Sequence, residues 1–191
     1  MSRYKPYIIF VVMMAAGFTL IIVVSQGYYP IALVHNTLIS ARTFSLEYHA
    51  ASLYYQNMVK TYKPLLENDG ELASIDLEAG ALDQLIEDSL VRDGARLEVG
   101  SDLDNLVENK LSKYSDDVEL EKAASVLYGL GKDNFWRMVL IPQATREVLA
   151  GRLFLRGEQI DDWLVSTKKS ARVIIFSPQF KWDGEKIAVS K

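Results

Sequence analysis

Residues 7–24, YIIFVVMMAAGFTLIIVV, form an unbroken uncharged run with no polar stripe to turn toward water. At about 1.5 Å per residue such a run makes a helix of roughly 27 Å, close to the bilayer hydrocarbon thickness of about 30 Å. Arg3 and Lys5 precede it, and Tyr4, Tyr7, Tyr28 and Tyr29 flank its two ends. Aromatic belts and a positive cytoplasmic end have this distribution. The pattern predicts a single-pass anchor in the inner (cytoplasmic) membrane, N-terminus inside, with the rest of the chain periplasmic or extracellular. The rival is a cleaved signal peptide, whose apolar region should be about 7–15 residues and end in a small-x-small site. Val23-Val24-Ser25 matches such a site only weakly.

Beyond Tyr29-Pro30 the period changes, because proline forces its predecessor into extended geometry. Ile31–Val34, a His35-Asn36 turn and Thr37–Ile39 predict a short strand, turn and strand, with Ser40 as N-cap of the helix that follows. From Ala41 to about Lys63, Phe44, Tyr48, Ala51, Tyr55, Met58, Val59 and Tyr62 recur at three- and four-residue spacing, the mark of an amphipathic helix. Pro64 ends or kinks it, and Asn68-Asp69-Gly70 reads as a loop. A second helix is expected between about Leu77 and Val99, closed by Gly100. A third follows Ser101-Asp102, a fourth opens at Ser115-Asp116-Asp117 and ends at Gly129-Leu130-Gly131, and a fifth begins at Asp133 with Pro142 as an internal kink. Gly157 separates it from a short sixth over Gln159–Lys168. The end is β-rich: Ala171–Phe176 and Lys186–Val189 predict strands that pair with each other and with Ile31–Ile39, and Asp183-Gly184 is a hairpin-turn signal.

Charge and composition remove several classes of function. Across 191 residues, 21 Lys+Arg stand against 25 Asp+Glu, a net charge of −4 that argues against a nucleic-acid partner. Cysteine is absent, so there is no disulfide framework, thiolate nucleophile or zinc–cysteine site. Only His35 and His49 could serve as imidazole ligands; one reads as a turn residue and the other as a helix-surface residue. Asp116-Asp117 and Asp161-Asp162 fall in first helical turns, where acids are favoured electrostatically, and neighbouring helical residues diverge by about 100°. Ser166-Thr167-Lys168-Lys169 reads as a basic helix end rather than a Ser–Lys nucleophile. No phosphate loop, GxSxG or HExxH occurs. No catalytic residue, metal or cofactor is expected.

The stretch IALVHNTLISARTFSLEYHA resembles the start of the SurA N-terminal domain family, in which a short hairpin followed by Ile-Ser leads into a long helix. His35-Asn36-Thr37 stands where that family carries a glycine-containing turn. LDQLIEDSLVRDGARLEVGSDLDNLV, residues 82–107, is similar to the family's next helix and its Ser-Asp lead into the following one, and GLGKDNFWRMVL to its Gly-started helix. The resemblance covers roughly residues 30–170. It implies a helical body that binds unfolded segments of exported proteins, as in folding factors of the SurA, PpiD and PrsA types. Those factors often carry a parvulin-type prolyl isomerase domain of about 90 residues, whereas only ARVIIFSPQFKWDGEKIAVSK follows here.

The sequence therefore predicts a mostly α protein in three parts. Residues 1–27 form a cytoplasmic tip and transmembrane helix, 28–170 a SurA-N-like multi-helix body, and 171–191 a β-hairpin packed on that body, so that short hairpins clasp the helices at both ends. The expected partners are unfolded or nascent exported polypeptides, and the membrane through residues 7–24. The aromatic residues Tyr54, Tyr55, Tyr62, Trp136 and Trp163 are the expected peptide contacts, with Tyr54 lying off the core face. Two alternatives remain: a degenerate or partner-completed parvulin-type isomerase, and a structural subunit with one dedicated partner.

Overall fold

The computed structural model describes residues 5–62, 74–114 and 117–190, apart from the side chains of residues 5, 6, 8, 20 and 62. Helix α1 spans Lys5–Ser25. It closes where Gly27 takes φ 72°: the Tyr28 N–H donates to Val23 O at 3.0 Å and the Gly27 N–H to Val24 O at 3.1 Å. These paired bonds satisfy carbonyls that a helix end leaves open. The turn is seated on the next helix, since the Arg42 N–H donates to Gly27 O at 2.8 Å and Arg42 Nη1 to the Tyr28 hydroxyl at 2.8 Å. A Cβ at Gly27 would lie 3.2 Å from Arg42 N, so the close approach needs glycine as much as the positive φ does.

The single-pass anchor expected over residues 7–24, and the inner-membrane location built on it, are corrected. Among the described residues, no helix is long and apolar enough to cross a membrane. The architecture is mostly helical with a few short strands.

Strands β1 (Pro30–Val34) and β2 (Thr37–Ser40) form the expected hairpin, its turn made by His35 at φ 50°. The expected mutual pairing of the terminal strands is corrected. Strand β3 (Val173–Ile175) adds antiparallel to the free side of β1, with Leu33 opposite Ile174, giving the order β2-β1-β3. Strands β4 (Phe180–Trp182) and β5 (Ile187–Val189) pair only with each other, around the Asp183-Gly184 turn. Asp183 Oδ1 holds that turn by accepting the Glu185 and Lys186 N–H groups at 2.8 Å each.

Helix α2 (Ala41–Tyr62) starts at the expected Ser40 cap, whose Oγ accepts the Thr43 N–H at 3.2 Å. Pro64 and the Asn68-Asp69-Gly70 loop lie outside the described residues. Helix α3 (Ser74–Val99) is the spine. Leu82, Ile86 and Leu90, spaced at i, i+4 and i+8, bury one stripe against Ala32, Val34, Ile39, Phe180 and Ile187. One turn further on, Val91 and Ala95 join a second cluster with Leu149, Leu153 and Leu164. Around it pack α4 (Leu103–Leu111), α5 (Val118–Tyr128), α6 (Lys132–Phe135), α7 (Ile141–Phe154) and α8 (Ile160–Ser170). Of the predicted cap of α5, Ser115 and Asp116 lie outside the described residues; Asp117 Oδ1 accepts the N–H groups of Glu119 and Leu120 at 3.0 and 3.1 Å.

One local expectation fails for a physical reason. Pro142 does not kink an α-helix. Residues Trp136–Leu140 widen instead into a π-helical turn, in which the Ile141 N–H donates to Trp136 O. Proline has no N–H for Met138 O and its ring crowds that carbonyl, and one wider turn relieves both. The expected basic end of α8 is present, and there Lys168 is buried, its ammonium donating to Asp83 Oδ2 at 3.1 Å and Glu87 Oε1 at 2.6 Å.

Candidate functional site

Small residues on α2 and α3 leave an open cleft between these helices, the π turn and α7. On α2 the positions Glu47, Ala50, Ala51 and Tyr54 repeat at i, i+3, i+4 and i+7 and share one face. On α3 the facing row is Gly80, Ala81, Gln84 and Asp88. Met138, Val139, Pro142 and Arg146 form the third wall. The open cleft they enclose has a volume of about 790 Å³. Gly80 matters here for what it lacks, since a Cβ at that position would meet nothing within 4 Å.

The cleft continues in two directions. Past Tyr128, Val139 and Gln143, which line both, lies a cavity of about 490 Å³ reaching Leu111, Tyr114 and Leu120. Past Asp88, Met138 and Pro142 lies a smaller one of about 270 Å³, bounded by Leu38, Arg92 and Arg137. The three lie next to one another along the π turn, sharing these side chains as common walls. The widened turn therefore supplies the shared wall, and Met138 gives it an unbranched, adaptable side chain.

The aromatic floor is built from three helices, α2, α5 and α6. Tyr54 stacks on Tyr128 with centroids 5.1 Å apart and planes within 6°, and Tyr128 tilts against Phe135 at 5.7 Å. Asn57, one turn beyond Tyr54, locks α2 to the end of α5 by donating to Val126 O at 3.0 Å and Leu127 O at 3.3 Å. Tyr54 keeps 38% of its surface exposed, so one ring face is committed and an edge remains open.

The polar side of the cleft is acidic. Glu47 makes no ion pair or hydrogen bond among the described residues, and burial, followed by the nearby charge of Asp88, pushes its carboxyl up to about 7. Asp88 is pushed up to about 6, chiefly by burial; the bond from Gln84 Nε2 to Asp88 Oδ1 at 2.9 Å and the charge of Arg146 act the other way. Arg146 is already engaged, donating from Nη2 to Glu87 Oε2 at 3.0 Å. Glu87 also receives Lys168, so Asp83, Glu87, Lys168 and Arg146 form a largely self-compensated network beside the cleft.

Of the five aromatic contacts expected from sequence, the structure places only Tyr54 on the cleft. Tyr55, its neighbour, is half-buried and does not line it. The Tyr62 side chain lies outside the described residues. Trp136 and Trp163 pack on the helical core, the latter wedged so closely over Gly94 that a Cβ there would sit 2.5 Å from its ring. Glu47, Asp88, Tyr128 and Met138 were not among the expected contacts. The sequence signal for the α2 part was the stripe Glu47, Ala51, Tyr54 beside the more apolar one. His35 bonds Asp93 at 3.3 Å, and His49 is exposed near Gly129. Among the described residues no group of three or more His, Asp or Glu side chains is arranged to hold a metal ion. In comparisons with family models, curated proteins and solved structures, nothing matches this chain.

Proposed function

We propose that this protein is a chaperone-like binder of unfolded polypeptide segments, acting without catalysis. The observation that carries this reading is the groove. It is open, with small, aromatic and methionine side chains along one side and acidic and amide groups along the other. Such a surface accepts varied side chains because apolar burial is non-directional and aromatic and methionine groups adapt to what they touch. The resemblance of residues 30–170 to the SurA N-terminal domain family points the same way.

The test is whether the full-length chain delays aggregation of a chemically unfolded, unrelated protein at near-stoichiometric ratios. Gly80→Leu is the matched control, because Gly80 lines the cleft and a Cβ there meets nothing within 4 Å, which leaves room for a bulkier side chain to obstruct it. Delay that is independent of client identity and lost in Gly80→Leu is the expected result. Delay that survives cleft filling, or no delay from folded protein, overturns the reading; binding of a single protein only would replace it with the dedicated-subunit reading. Tyr54→Ser removes half of the stacked pair and should weaken client binding several-fold, since a buried aromatic contact contributes about 1 kcal/mol or more. Unchanged binding would take Tyr54 out of the site.

A further inference from the structure

The groove contains a charge imbalance that the proposed function does not use. The lining of its widest part carries Glu47, Asp76, Glu87 and Asp88 against one cation, Arg146. Arg146 is spoken for by Glu87, which also holds Lys168. Of the remaining three, Asp76 is exposed near the start of α3, while Glu47 on α2 and Asp88 on α3 are partly buried and line the cleft. Glu47 has no partner among the described residues, and Asp88 accepts a neutral amide hydrogen from Gln84. Arg92 acts on Asp88 from the narrower cavity beyond Met138, and does not line the part that Glu47 faces. Glu47 is one turn before Ala51 and two before Tyr54, so the carboxylate pair and the Tyr54–Tyr128 stack lie side by side on one surface.

We propose that the cleft selects polypeptide segments in which a lysine or arginine neighbours an aromatic or large apolar residue, the cation lying between Glu47 and Asp88 and the apolar side chain against Tyr54 and Tyr128. This rests on the peptide-binding reading of the groove and names its preferred client chemistry. Two carboxylates confined in a poorly hydrated site repel, and a third, cationic group inserted between them turns that repulsion into attraction. The long aliphatic stem of Lys or Arg suits the approach, since it crosses Ala50, Ala51 and Gly80 before its charged end meets the acids. An anionic ligand would meet the same two carboxylates and be repelled. A bare metal ion finds no third ligand among the described residues.

The experiment measures binding of three fluorescent ten-residue peptides to the full-length chain at pH 8 and low salt. They are identical except for one position beside a phenylalanine, which is lysine, norleucine or glutamate. The lysine peptide should bind about tenfold tighter than the norleucine one, the advantage of a charge-assisted contact in a partly buried site. The glutamate peptide should bind weakest, and 0.5 M salt should shrink the differences. Glu47→Gln and, independently, Asp88→Asn should bring the lysine and norleucine affinities together, each variant first shown to be folded by circular dichroism. Gly80→Leu should abolish binding of all three. Equal binding of the lysine and norleucine peptides, both lost in Gly80→Leu, overturns the cationic preference and leaves the groove reading intact. No binding by any peptide, or binding that survives Gly80→Leu, overturns the groove reading and this inference together.

Discussion

Glu47 is a carboxyl that folding makes harder to ionise. Its value moves from 4.5 to about 7, because burial and the charge of Asp88 both disfavour the anion. Between those limits the native state holds a proton that the unfolded chain releases, so the free energy of unfolding falls as pH rises from about 4.5 to 7. Asp88 contributes with the same sign between 3.8 and about 6. Urea unfolding at pH 5 should therefore show a more stable protein than at pH 8, with Glu47 responsible for on the order of 2 kcal/mol of the difference. Glu47→Gln should flatten that slope and raise stability at pH 8; an unchanged slope would mean that Glu47 is well hydrated. Gly94 makes the opposite kind of demand, for absence of any side chain. A methyl there would sit 2.5 Å from the Trp163 ring and 3.3 Å from Leu149, so Gly94→Ala should cost about 1–3 kcal/mol despite alanine's better helix propensity. A shift in urea midpoint, partly recovered by combining it with Trp163→Leu, checks the cause. Neither residue announces itself in the sequence. Glu47 falls between Leu46 and Tyr48 in an ordinary amphipathic pattern, and Gly94 looks like a weak point of its helix rather than the seat of an indole.

Elements were legible where they depend on local spacing and caps. Ser40, Asp117, Gly100 and the three- and four-residue recurrences place α2, α3 and α5 closely, because these signals act within a turn or two. What the chain does over long separations was not. The expected pairing of β3 with β1 forms, bringing residues 32 and 175 together, but the equally expected pairing of β3 with β5 does not, and nothing local distinguishes the two. Lys168 shows the same limit: a lysine in a terminal turn reads as solvated, yet it reaches α3 across the fold. Burial alone would lower its value, but the hydrogen bonds it donates to Glu87 and Asp83 and their charges outweigh that and raise it. Lys168→Met should destabilise by about 3 kcal/mol, because two partly buried carboxylates lose their shared cation. The loss should be larger at pH 8 than at pH 5, where Asp83, itself raised by burial, takes up a proton more readily. Equal losses at both pH values would show that the cation matters by packing alone. The π turn can be tested by Pro142→Ala, which restores the missing N–H and allows the turn to rewind as α. Stability should hold or rise, while Met138 and Val139 rotate and peptide binding weakens several-fold. Undiminished binding would remove the π turn from the site's construction.

At the scale of the molecule, two apolar clusters share one helix. Leu82, Ile86 and Leu90 belong to the sheet side and Val91 and Ala95 to the helical side, with no interruption of α3 between Leu90 and Val91. A second connection runs through Lys168, which leaves α8, pairs with Asp83 and Glu87 on α3, and lies 5.9 Å from the centre of the Trp182 ring on β4. A helix common to both cores cannot melt in one without exposing the apolar face it presents to the other, so the two should unfold as one cooperative unit. The three tryptophans are placed to report this, with Trp182 on the sheet side and Trp136 and Trp163 on the helical side. In variants retaining only Trp182 or only Trp136, the fluorescence transitions in urea should superimpose with each other and with far-ultraviolet circular dichroism. An earlier midpoint for Trp182 would mean that the C-terminal strands detach first, leaving Leu82 and Ile86 uncovered while the groove-bearing helices stay folded. Cooperative unfolding also bears on the proposed function, because a groove walled by α2, α3 and α7 would keep its shape for successive clients only if the spine that carries one wall is anchored at both ends.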